Sequence, residues 1–105
     1  MDYKIIWDSG AKNDLKKIYT YYAELNRNTA NSIVSQINQQ LALLAENPLM
    51  AVVETQLKRK KKVYRSLLTF KGKLKIIYTV EEERIHIVMI WNCLQNPKKL
   101  KKALR

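Results

Sequence analysis

The chain has 105 residues, 47% of them hydrophobic, which is enough for one packed core and too few for two. Its net charge of +11 is lopsided: residues 1–55 carry five Lys/Arg against six acids, and residues 56–105 carry fifteen against three, a net of +12. One cysteine, Cys93, excludes an internal disulfide, no Cys/His cluster has metal-ligand spacing, and no apolar run approaches the roughly 20 residues of a membrane span. The opening MDYKIIWD has no apolar core of a signal peptide, so a cytoplasmic single domain over residues 1–105 is expected, without cofactor.

Tyr3 to Trp7 is short and apolar and predicts a strand, broken by Asp8-Ser9-Gly10, where Asp8 or Ser9 can cap a helix. From Ala11 to about Leu25, Leu15, Ile18, Tyr19, Tyr22 and Leu25 fall at helical spacing. Asn26-Arg27-Asn28 reads as a turn, with Asn28 or Thr29 as the next cap. A second helix follows from Ala30 to about Ala45, striped by Ile33, Ile37, Leu41 and Leu44 and stopped by Asn47-Pro48. The short connection implies an antiparallel helical hairpin.

The period then changes. Val63 to Phe70, Leu74 to Val80 and Arg84 to Trp91 are rich in β-branched and aromatic residues, and Lys71-Gly72-Lys73 and Glu81-Glu82-Glu83 are short enough to be hairpin turns. The fold class is therefore α+β, an N-terminal strand and helical hairpin packed on a small antiparallel sheet. Tyr64, Leu68, Phe70, Leu74, Ile76, Tyr78 and Val80 form the face expected beneath the helices. Arg65 and Lys75 are expected to share the opposite, exposed face. After Asn96-Pro97, residues Lys98 to Arg105 predict a short helix with Leu100, Ala103 and Leu104 on one side.

Chemistry is sparser than charge. Lys58-Arg59-Lys60-Lys61-Lys62 is the densest run, and with Lys71, Lys73, Lys75 and the basic tail it suits a polyanion or an acidic protein through counterion release and charge pairing. Arg65, inside an apolar strand, can hold a phosphate or carboxylate in two bonds, or simply lie on a wet sheet face. His86 is the sole histidine, flanked by isoleucines, and no partner for it is evident in sequence. Cys93 has no neighbouring base, Glu81-Glu82-Glu83 reads as a solvated turn, and Tyr19, Tyr21 and Tyr22 read as packing. No glycine-rich phosphate loop exists. The residues alone lead to a basic α+β binding domain.

The order of these parts resembles the RelE/ParE-type toxins of type II toxin–antitoxin pairs. The resemblance is carried by Ala11 to Ile18 (AKNDLKKI) with Tyr22, Ala30 and Leu41 to Pro48 (LALLAENP). The strands Val63 to Leu68 (VYRSLL), Leu74 to Tyr78 (LKIIY) and Ile85 to Trp91 (IHIVMIW) continue it, and Asn96-Pro97-Lys98-Lys99-Leu100 ends it. It implies a growth-inhibiting protein neutralised by a cognate acidic antitoxin that wraps the toxin. Its RelE-like branch cleaves ribosome-bound mRNA without a metal, and matching strand to strand puts Arg65 and Lys75 where that branch places basic residues, with His86 or Tyr64 to substitute for the remaining catalytic group if the chain is a nuclease. That branch often carries an Arg near Leu94 or Gln95 and a Tyr or His shortly beyond, which this chain lacks. Its ParE-like branch poisons DNA gyrase by binding, and the well-patterned hairpin and missing catalytic set favour it. A basic nucleic-acid-binding module outside the family is the third reading.

Overall fold

The computed structural model describes residues 2–57 and 61–104. Strand β1 (Lys4–Trp7) leads into helix α1 (Ser9–Leu25) through Asp8, which holds the N-cap position in extended geometry but makes no side-chain cap hydrogen bond. Helix α2 (Arg27–Glu46) follows after a single residue. Asn26 (φ −164°, ψ 113°) serves both helices: its N–H donates to Tyr22 O at 2.7 Å, and its Oδ1 accepts from Thr29 N at 3.3 Å. The cap is thus Asn26 rather than Asn28 or Thr29, and the expected three-residue turn shrinks to one extended residue.

On α2 the predicted stripe Ile33, Ile37, Leu41 and Leu44 is buried together with Ala30. On α1 the stripe is narrower than predicted. Ala11 is buried and Leu15, Ile18 and Tyr22 pack on the core, but Leu25 is exposed and Tyr19 turns its hydroxyl to Asn31 Oδ1 at 2.9 Å.

Strands β2 (Val52–Val53), β3 (Arg65–Thr69), β4 (Leu74–Glu81) and β5 (Arg84–Asn92) complete a five-stranded sheet of order β1-β5-β4-β3-β2. The β3-β4-β5 meander is antiparallel as expected, while β1 pairs β5 in parallel, Ile5 beside Ile85, so the sheet is mixed. The two-residue β2 was not expected from sequence; its valines pair with Ser66 and Arg65.

Helices α1 and α2 cover one face, over Leu74, Ile76, Tyr78, Ile85, Ile87 and Ile90. The other face is also covered. A 3-10 turn (Thr55–Leu57) and the C-terminal helix α3 (Leu100–Ala103) close over Ile77, Met89 and Trp91 with Leu57 and Leu100. A second 3-10 turn, Pro97–Lys99, occupies the first part of the predicted terminal helix. Leu100 is buried and Leu104 half-buried, but Ala103 is exposed. Val88 is a bulge, because Ile77 pairs with Met89 and Tyr78 with Ile87. It reverses parity along β5: Ile85 and Ile87 face the helices, then Ile90, with Met89 and Trp91 on the far side.

Strand β1 ends at Trp7, so among the described residues β5 beyond Ile87 has no strand neighbour on that side; α1 takes its place. Asp14 Oδ2 accepts from Ile90 N at 3.1 Å. Asp14→Ala removes that acceptor and should cost about 1–3 kcal/mol, the penalty of an unmade bond at a part-buried amide. A urea titration checks it; an unchanged midpoint would rule out edge capping by this carboxylate.

Candidate functional site

Arg65 lies opposite Tyr78, and Lys75 opposite Leu68. Cross-strand partners share a face, so Arg65 is on the helix side with Tyr78, and Lys75 on the far side with Ser66 and Ile77. The expected shared cationic face does not exist. Tyr64 and Leu68 correspondingly move to the far side and Leu67 to the helix side, one residue out of phase with the expected assignment.

Each of the two cations is already engaged. Arg65 Nη1 donates to Ala51 O at 2.7 Å, beside the buried Tyr78, whose hydroxyl donates to Pro48 O at 2.8 Å. Burial pushes the Tyr78 phenol up, with Arg65 acting against it. Lys75 Nζ donates to Glu54 Oε1 at 2.8 Å; Glu54 is only 3% exposed. Burial alone would raise that carboxyl. Lys75, the Gln56 N–H (3.0 Å) and Ser66 outweigh it and hold Glu54 below its ordinary value. Glu54 is the residue sequence reading missed, for its only signal was a lone acid beside a basic half.

His86 sits across from Thr79, on the same face as Lys75. Lys75 and Thr79 are four residues apart on β4, about 13 Å at the usual strand rise. Its Nδ1 is 3.8 Å from Asp8 Oδ1, an ion-pair distance rather than a hydrogen bond. Arg65, Lys75 and His86 therefore form no common constellation.

His86 opens instead onto a cleft of about 880 Å³ between the first half of α1, the far side of the sheet and α3. Asp8, Asp14, Lys17, Lys62, Glu81 and Lys102 give it mixed charge, with Tyr64 on its wall. The Lys62–Glu81 pair (2.9 Å) raises the ammonium's pKa and lowers the carboxyl's. Among the described residues no group of three His, Cys, Asp or Glu could hold a metal. Burial raises the Cys93 thiol, the opposite of what a nucleophile needs.

Of the expected binding cations, Lys58, Arg59 and Lys60 lie outside the described residues, while Lys61, Lys62, Lys71 and Lys73 are exposed. Lys73 Nζ stands 5.3 Å over the Phe70 ring at the β3–β4 tip.

Residues 5–97 match the family model described as the ParE toxin of the type II toxin–antitoxin system, parDE. The chain belongs to the ParE toxin family. A chain of a solved structure, the chromosomal ParDE TA system from P. aeruginosa, is similar in fold, with TM-score 0.69 and 21% identity over 86% of this chain and 95% of that one. No curated protein matches the sequence. In family terms the matched span runs from β1 through the first residue of the second 3-10 turn, leaving most of the C-terminal cover outside it. No described helix of this toxin-family chain is long and apolar enough to cross a membrane.

Proposed function

We propose that this chain is a growth-inhibiting toxin that acts in the cytoplasm by binding DNA gyrase, and that an acidic antitoxin neutralises it. The observation that carries the reading against mRNA cleavage is the fate of the two strand cations. A cleaving site would need them free and convergent on one phosphate. Arg65 is spent on a carbonyl and Lys75 on a buried carboxylate, on opposite faces of the sheet. Inhibition by docking needs a surface and no general base. The family match supports the same branch.

Antitoxin binding is supported by charge: the fifteen cations after Leu57 attract an acidic chain that folds onto the toxin. Controlled expression, with plasmid topoisomers and mRNA integrity followed together, tests the mechanism. Lost supercoiling or double-strand breaks with intact transcripts are expected. Transcripts cut on translating ribosomes, with supercoiling unaffected, would replace this reading by the RelE-like nuclease; growth without arrest would leave a basic nucleic-acid-binding module.

A further inference from the structure

The β3–β4 connection is tightly wound. Phe70, Lys71 and Gly72 all have positive φ (50°, 56° and 79°), and two of them carry side chains that disfavour it. Gly72 N–H donates to Thr69 O at 3.2 Å and Lys73 N–H to Phe70 O at 3.1 Å, closing the tip. A tertiary contact holds it against α1, where Phe70 meets Tyr22 edge-on at 5.4 Å; within the helix Tyr22 in turn meets Tyr21 at 5.0 Å. The strained tip is thus joined to the last two turns of α1, at the other end of that helix from the cleft.

This junction leaves apolar surface open. Tyr21 and Leu25, one helical turn apart, are 61% and 68% exposed. Lys71 and Lys73 are exposed on the tip that Phe70 joins to Tyr22, and Arg27 stands exposed two residues beyond Leu25. Acid is nearly absent: residues 55–80 contain none, and residues 15–27 contain only Glu24.

We propose that this patch is the surface that seizes the toxin's cellular target, a protein with an apolar pocket rimmed by carboxylates. The inference rests on the reading of a toxin that acts by binding. An exposed tyrosine one turn from an exposed leucine, with exposed cations on the adjoining tip and at Arg27, has the parts of a protein interface: an apolar anchor that desolvates, and charges that steer and orient. An exposed leucine offers nothing to a phosphate backbone, so the occupant is a protein rather than a nucleic acid. The antitoxin and the target would both be acidic, so the test induces the toxin without antitoxin and reads the target alone.

The test uses the full-length chain and two double variants, Tyr21→Ser/Leu25→Ser and Lys71→Glu/Lys73→Glu. Killing on induction, binding to purified gyrase and retention of linear duplex DNA are measured, with melting curves alongside. Since all four side chains are exposed, both variants should still melt in one cooperative transition, lowered only by the lost Tyr21–Tyr22 and Lys73–Phe70 ring contacts. Both variants should kill at least tenfold fewer cells and bind gyrase at least tenfold more weakly, and Tyr21→Ser/Leu25→Ser should retain DNA like the unaltered chain. Undiminished killing by Tyr21→Ser/Leu25→Ser overturns the proposal, as does a parallel loss of DNA retention in that variant. An unaltered chain that kills while gyrase binding is absent refutes the gyrase reading alone, and killing by the variants still decides the patch.

Discussion

Replacing Lys75 with methionine should destabilise the fold by about 3 kcal/mol, the low end of the cost of stranding one member of a buried ion pair. The low end applies because the lysine is 26% exposed, so water already screens part of the attraction. Glu54, at 3% exposed, has no such relief. Its remaining support would be the Gln56 N–H and the Ser66 hydroxyl. Removing both charges in Lys75→Met/Glu54→Leu should recover most of the loss, since an apolar pair leaves no charge uncompensated.

The pH dependence has a definite sign. Glu54 is held below its ordinary value of 4.5, so its contribution is fully present above that pH and disappears as the pH falls through the lowered folded value. In Lys75→Met the main cause of lowering is gone, and the acid-side loss should shrink. Urea midpoints at pH 7 and on the acid side test all three statements; a double variant no better than Lys75→Met would sink the pairing argument. The result also bears on mechanism. A Lys75→Ala chain that loses toxicity is evidence of catalysis only if it still melts like the unaltered one.

What sequence could reach was local. The α2 stripe, the proline stop and the three meander strands follow from spacing and residue type within a few turns, and each lies close to where patterning put it, β3 being shorter at Arg65–Thr69 than the expected Val63 to Phe70. Pairings across long separations left no such trace. β1 joins β5 about eighty residues on, and β2 is two valines whose partner is set by β3. Period two sorted β3 into two sets, but the count of apolar residues chose the wrong one for the core. Arg65 faces the helices because its register with Tyr78 puts it there, and it satisfies the Ala51 carbonyl. The Val88 bulge defeats any parity rule carried along β5. The expected shared face of Arg65 and Lys75 failed for the same reason. Lys75 looks free in sequence because its partner, Glu54, is 21 residues away. Charge could be counted from sequence, but not which charges were already spent.

Leu100→Ala should give the other large effect, a loss within about 2–5 kcal/mol, as for other fully buried leucines. The segment holding Leu100 is one turn of α-helix after one turn of 3-10 helix, far too short to persist without tertiary contacts. Its stability therefore comes from Leu100, which is 0% exposed against Leu57, Ile77, Met89 and Trp91. Lys98, Lys99, Lys101 and Lys102 are exposed, Lys102 on the cleft wall, and add solubility rather than hold. Shortening Leu100 should release the whole turn, because Leu104 is only half-buried and cannot anchor it alone. Trp91, nearly buried beneath this cover, should then meet water, and its emission should move to the red before global unfolding, over the steadier signal of half-buried Trp7. Ending the chain after Asn96 should reproduce both changes, while Lys101→Gln/Lys102→Gln should reproduce neither. An unshifted tryptophan spectrum and melting curve in Leu100→Ala would mean that Leu57, from the 3-10 turn, seals the far face without help.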